Sequence, residues 1–154
     1  AMKRCLLLSL LVTCLAAALV TPRVALASKV IDARTRFAPV HIYLDSGNRP
    51  LAAYQFELRA TKGQIKIVGV EGGAHPGFKE APYYDPAALM QDRIIIAAFN
   101  TGQDLPSDRT RIATVHLQIT GQVEPEIKLN LTVAGDSDGE KIPAELTFEK
   151  GEQK

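Results

Sequence analysis

The chain has 154 residues, 18 basic and 17 acidic side chains, no tryptophan and two cysteines. Both cysteines, Cys5 and Cys14, lie in an apolar leader, so the remainder can build no disulfide framework, thiol nucleophile or cysteine metal site. Taking Lys3, Arg4 and Arg23 away with that leader reduces 18 basic residues to 15 against 17 acidic, a net charge of −2. No Lys/Arg-rich run remains to attract nucleic acid.

The leader reads as an export signal over residues 1–27. Lys3 and Arg4 are followed by the apolar run Cys5 to Val20, and Ala25-Leu26-Ala27 supplies small residues for cleavage before Ser28. The run is shorter than the roughly 20 residues a membrane-spanning helix needs. A secreted, extracellular or periplasmic location is expected after cleavage near Ala27. A retained signal or a lipid on Cys14 would instead hold the chain to a membrane. Residues 28–149 then form one domain, and 150–154 a charged, frayed tail.

Beyond the leader, most of the sequence alternates with period two. Val40, Ile42 and Leu44 share one face, and Asp45-Ser46-Gly47-Asn48 is a turn cluster. From Ala53 to Ala60, Tyr54, Phe56, Leu58 and Ala60 face one way; Gln55, Glu57 and Arg59 face the other. Gln64 to Val70 is β-branched and strand-like. A long segment over residues 71–92 follows, rich in Pro and Gly, with the tyrosine pair Tyr83-Tyr84. Its helical signal is about one turn, with Asp85 as cap and Pro86 at the first position.

Arg93 to Phe99 is apolar on both parities, which predicts cover on both faces or an open apolar surface. Arg111 to Thr120 turns Ala113, Val115, Leu117 and Ile119 inward, with Thr114, His116 and Gln118 outward. Glu126 to Val133 predicts Ile127, Leu129, Leu131 and Val133 inward, and Ala144 to Phe148 is a last short strand. Seven to nine strands with polar turns and no amphipathic helix predict an all-β fold, a two-sheet antiparallel β-sandwich.

Four stretches resemble the cohesin module: Pro50 to Gly73, Arg93 to Gly102, Arg111 to Gly121, and the ending Gly135 to Glu149. The resemblance implies a jelly-roll or immunoglobulin-like sandwich of about nine strands, secreted and non-catalytic, within a superfamily of carbohydrate-binding sandwiches. It implies a protein partner of dockerin type, in assemblies concerned with polysaccharide breakdown. The partner-binding face it implies is one sheet presenting Gln55, Glu57, Arg59, Thr114, His116 and Gln118.

The second expected ligand is a polysaccharide, contacted through Tyr83, Tyr84 and Asp85; an exposed tyrosine pair can stack on sugar rings or anchor a protein. The competing role for at least one of these tyrosines is to pack the segment onto the strand beside it. No cofactor is expected. Asp136 and Asp138 supply part of a calcium loop, and a polar hairpin turn accounts for the same residues. The histidines His41, His75 and His116 are scattered as surface residues are. Glu71, Glu80, Asp85 and Asp92 are the carboxylates a glycosidase would need, but no nucleophile–base or phosphate-loop motif accompanies them, and no enzyme activity is expected.

Overall fold

The computed structural model describes residues 34–152, so the proposed leader lies outside the described residues. Alternation becomes eight strands: β1 Thr35–Asp45, β2 Ala53–Lys62, β3 Gln64–Gly72, β4 Tyr83–Tyr84, β5 Arg93–Phe99, β6 Arg109–Thr120, β7 Glu126–Gly135 and β8 Glu145–Lys150. They form two four-stranded sheets, ordered β3-β6-β1-β8 and β4-β5-β2-β7, with every pairing antiparallel. The protein is an all-β two-sheet sandwich. Among the described residues no helix is long and apolar enough to cross a membrane.

The core forms where the two inner parities meet. The first sheet contributes Val40, Ile42, Leu44, Ile67, Val115 and Leu117; the second contributes Tyr54, Phe56, Leu58, Ile94 and Ile96. Tyr54 is the one large polar-tipped side chain in this group, and it donates its hydroxyl to the Ile112 carbonyl at 3.0 Å. That bond removes the penalty of burying a phenol. Burial also pushes the Tyr54 pKa well above its ordinary value of 10.0.

The register shifts at four places, and two of these shifts bear on the faces described below. In β6, Ile42 pairs with Ala113 and Tyr43 with Arg111, so Ile112 is an extra residue and is buried as well. In β7, Gln55 pairs with Val133 and Phe56 with Leu131, which makes Thr132 the extra residue. Val133 is therefore turned outward, not inward as alternation alone predicts, and is 42% exposed.

The long segment carries the chain from the edge of the first sheet, β3, to the edge of the second, β4. It does not fold across the outer face of β5. It closes the side of the sandwich between these edges. Met90 donates its backbone N–H to Ile67 of β3, and Ile67 donates to Gln91, at 2.7 and 2.8 Å.

The anchor of the segment is Phe78, buried and packed edge-on against Tyr54 at 5.2 Å between ring centroids. It sits in a 3-10 turn over Pro76–Phe78, whose first N–H groups include Gly77, capped by His75 Nδ1 at 3.1 Å. Asn100 holds the same turn by donating to the Gly77 carbonyl at 2.8 Å. The entry is tight: a Cβ on Gly72 would lie 2.0 Å from the Lys79 carbonyl oxygen, and one on Gly73 2.2 Å from that of Arg111. Only glycine fits there. The predicted helical turn is a 3-10 turn, Pro86–Ala88, with the Asp85 carboxylate accepting from Ala87 N–H at 2.9 Å.

At the other end, β8 runs through Lys150, and Gly151 donates its N–H to Pro39 at 2.9 Å. Lys150 and Gly151, expected in a frayed tail, are instead tied to the first sheet. Residues 153–154 lie outside the described residues.

Candidate functional site: the outer face of the second sheet

The six residues expected on one binding face are divided between two. Gln55, Glu57 and Arg59 stand on β2 in the second sheet, whereas Thr114, His116 and Gln118 stand on β6 in the first. Alternation correctly separates inward from outward for these six residues. It carries no information about which sheet a strand joins, and the sandwich places these two outer faces back to back.

The first-sheet half is largely engaged with itself. Thr114, 3% exposed, has its hydroxyl 3.0 Å from Nδ1 of His41, its cross-strand neighbour. His116 Nε2 lies 3.1 Å from the Glu71 carboxylate on β3. Arg109 pairs with Glu149 at 2.7 Å while its guanidinium lies 3.7 Å from the centroid of the Tyr43 ring. Such pairs engage much of this outward face, although the buried His116 Nε2 and Arg111 Nε make no hydrogen bond among the described residues.

The second-sheet half differs. Of the seven large apolar side chains exposed among the described residues, four stand on this face: Tyr83, Ile95, Phe99 and Val133. The register explains why they meet. Tyr83 pairs with Ala97, Ala97 with Gln55 and Gln55 with Val133, so these form one cross-strand row on the same face. Phe99 and Ile95 flank that row along β5. Tyr83 and Phe99 are 67% and 66% exposed, with near-parallel rings 10° apart in plane and 5.9 Å between centroids. An open groove of about 660 Å³ runs between the segment after β4 and the start of β5, lined by Tyr83, Tyr84, Ala87, Ala88, Arg93 and Ile95 among others.

Tyr84 points the other way. It pairs with Ile96, a buried residue, and packs partly buried against the core. The expected surface pair is therefore one surface ring, Tyr83, and one anchoring ring, Tyr84. Asp85 remains exposed, with its carboxylate engaged as the cap of the 3-10 turn.

Charge takes over at the far end of the face. Arg93 donates to Glu57 at 2.6 Å, and Arg59 and Lys128 stand beside them. The hydrogen bond from Arg93, with the nearby Arg93, Arg59 and Lys128 charges, holds the Glu57 carboxyl below its ordinary pKa.

The remaining candidates are engaged locally. Asp136 Oδ1 accepts from the N–H groups of Asp138 and Glu140 at 3.1 and 2.9 Å, and its other oxygen pairs with Arg49. The Asp136 pKa is lowered, first by Arg49 and then by those backbone donors. Asp136 thus serves as the organiser of its turn, and Asp138 stands exposed beside it. Among the described residues, no three His, Cys, Asp or Glu side chains gather as a metal-binding group. Glu71, Asp85 and Asp92 occupy β3, a turn cap and the residue before β5.

Phe99 and Ile95 belong to the apolar strand expected at a binding face but are not among the six contact residues expected by number, and Val133 is expected inward. For Phe99 and Ile95 the signal was present, in the second apolar parity of Arg93–Phe99. Val133 had none, because its orientation depends on the bulge.

The fold defines a β-sandwich with one outer surface dominated by polar pairs and one that gathers four of the exposed large apolar side chains. No family model, curated protein or solved structure matches the chain.

Proposed function

We propose that the chain is a secreted, non-catalytic recognition module, cohesin-like in pattern, that docks a protein partner on the outer face of its second sheet. The observation that carries this reading is the clustering of Tyr83, Ile95, Phe99 and Val133 on one sheet face, bordered by the polar Gln55, Glu57, Arg59 and Arg93. An apolar centre with a polar margin is the anatomy of a protein interface. The aliphatic members favour apolar side chains over sugar hydroxyls as the contacting groups. In this reading Gln55, Glu57 and Arg59 remain contact residues, joined by Tyr83 and Phe99 in place of Thr114, His116 and Gln118. A dockerin-type partner in a polysaccharide-degrading assembly is the occupant that the cohesin resemblance favours.

Affinity capture from the source organism's extracellular fraction tests the reading, using wild type, Tyr83→Ser/Phe99→Ser and Phe37→Ser. Phe37 is the control, an exposed phenylalanine on the opposite face. A partner retained by wild type and Phe37→Ser but lost by the double variant supports the docking face. Loss with Phe37→Ser alone places binding on the other sheet and contradicts it.

A second reading, carbohydrate binding, is favoured by the near-parallel Tyr83 and Phe99 rings, an arrangement on which a sugar ring can lie. A glycan array that responds to wild type and dims on Tyr83→Ser, with no protein captured, selects it.

A further inference from the structure

The charged end of the docking face contains an arrangement that the fold itself does not explain. Arg59 lies directly across the ladder from Arg93 on one side and from Lys128 on the other. Three cations therefore stand in one cross-strand row. Like charges directly opposite each other destabilise a sheet. Arg93 is paired directly with Glu57, whose single charge Arg59 and Lys128 share only at longer range. Lys62, the next cation along β2, is taken by Glu126 at 2.9 Å. Among the described residues, Arg59 and Lys128 have no carboxylate at ion-pair distance. The other acid nearby is Asp92, at the rim of an open hollow of about 720 Å³ shared with Glu57, Arg59, Lys128 and Asn130. The local balance of Arg59, Arg93 and Lys128 against Glu57 and Asp92 stays positive.

Resting on the docking face proposed above, we infer that this row reads acidic side chains on the partner. The partner would be a protein surface that sets Asp or Glu residues beside an apolar cluster. The apolar residues would cover Tyr83, Ile95, Phe99 and Val133, and the carboxylates would meet Arg59 and Lys128. Charge complementarity of this kind fixes the register of an interface and speeds association more than it adds affinity. Glu57, by holding Arg93 in place, would keep the guanidinium in line with the row.

A display library of random helical peptides, selected on the wild-type domain, tests this without a known partner. Selected peptides are measured against Phe99→Ser, Arg59→Glu/Lys128→Glu and the milder Arg59→Gln/Lys128→Gln, each checked for folding by its melt. The expected result is enrichment of Asp and Glu next to Leu, Ile or Phe, loss of binding on Phe99→Ser, and weakening of about tenfold or more on charge reversal. Added salt should weaken the wild-type complexes. Peptides that need Phe99 but show no acidic excess and ignore both charge variants overturn the inference and leave the docking face standing. Peptides indifferent to Phe99→Ser overturn the docking face, and the inference with it. Binding of polygalacturonate that depends on Arg59 and Lys128 and that no selected peptide displaces would assign the row to an anionic sugar polymer, contradicting a protein partner.

Discussion

The two outer faces of this sandwich are built from the same kind of alternating strand, yet they resolve their outward residues in opposite ways. On the first sheet, most outward groups pair, His41 with Thr114 and Arg109 with Glu149 and Tyr43, while His116 Nε2 beside Glu71 and Arg111 Nε make no hydrogen bond and Phe37 stands exposed. On the second, the apolar parity of β5 has no cover, and the cations at its end outnumber their partners. An outward face that satisfies itself contributes to stability. One that does not is available to something else, and large exposed apolar patches mark such surfaces. The same contrast holds between two phenylalanines of neighbouring segments. Phe78 is buried against Tyr54, whereas Phe99 stands exposed beside Tyr83.

That pair gives the largest expected effect. Phe78→Ala should destabilise the domain by about 3–5 kcal/mol, since it removes a buried aromatic and the anchor of the crossing segment. Phe99→Ala should stay within about 0.5 kcal/mol of wild type. Chemical denaturation of both variants measures the difference; a large loss at Phe99 would mean that its face is structural.

Tyr54 tests the core beneath both faces. Replacing it with Phe leaves the Ile112 carbonyl without its donor and should cost about 1–2 kcal/mol at neutral pH. The alkaline behaviour is sharper. The unfolded chain releases the phenol proton near pH 10, while the buried phenol keeps it. The folded state then binds more protons than the unfolded one, so stability falls as pH rises above 10, by up to about 1.4 kcal/mol per unit from this group. Tyr54→Phe should remove that contribution to the slope, read from denaturation curves between pH 9 and 11.

Smaller effects separate the faces directly. Thr114→Val should cost about 1 kcal/mol by removing the hydroxyl partner of His41. Arg59→Gln, on the other face, should raise stability by a few tenths of a kcal/mol by relieving the like-charge row. If Arg59→Gln instead destabilises as much as Thr114→Val, the two faces are not different in kind. At the acid end, Glu57 and Asp136 both have lowered pKa values, so the unfolded chain takes up protons first. Their contributions are present above the ordinary carboxylate pKa and are lost as pH falls from there through the lowered folded-state values. Glu57→Gln should make the acid titration of stability shallower.

Much of this arrangement was legible in the sequence, and the gaps have physical reasons. Alternation in Ala53–Ala60 and Ala113–Thr120 assigns residues to the inner or outer face correctly, since the period of a strand is set by its backbone, while the bulge at Ile112 breaks it. The doubled apolar parity of Arg93–Phe99 signalled an open or covered face, and the structure leaves it open. Sheet membership was not legible: β2 and β6 have similar patterns and end in opposite sheets, because pairing is decided by nonlocal contacts. Alternation turns Val133 inward, but one extra residue, Thr132, reverses its side, and a bulge leaves no mark in an alternating pattern. Phe78 gives no signal in the sequence, because Pro76 and Gly77 place it in a stretch without periodicity and its burial comes from a turn.

The most direct measurement of the central claim is hydrogen–deuterium exchange on the domain with and without a bound protein partner, captured or selected. New protection is predicted at β4, along β5 and in the middle of β2, with β3 and β6 unchanged. Protection concentrated on β3 and β6, around Thr114 and His116, would contradict the account.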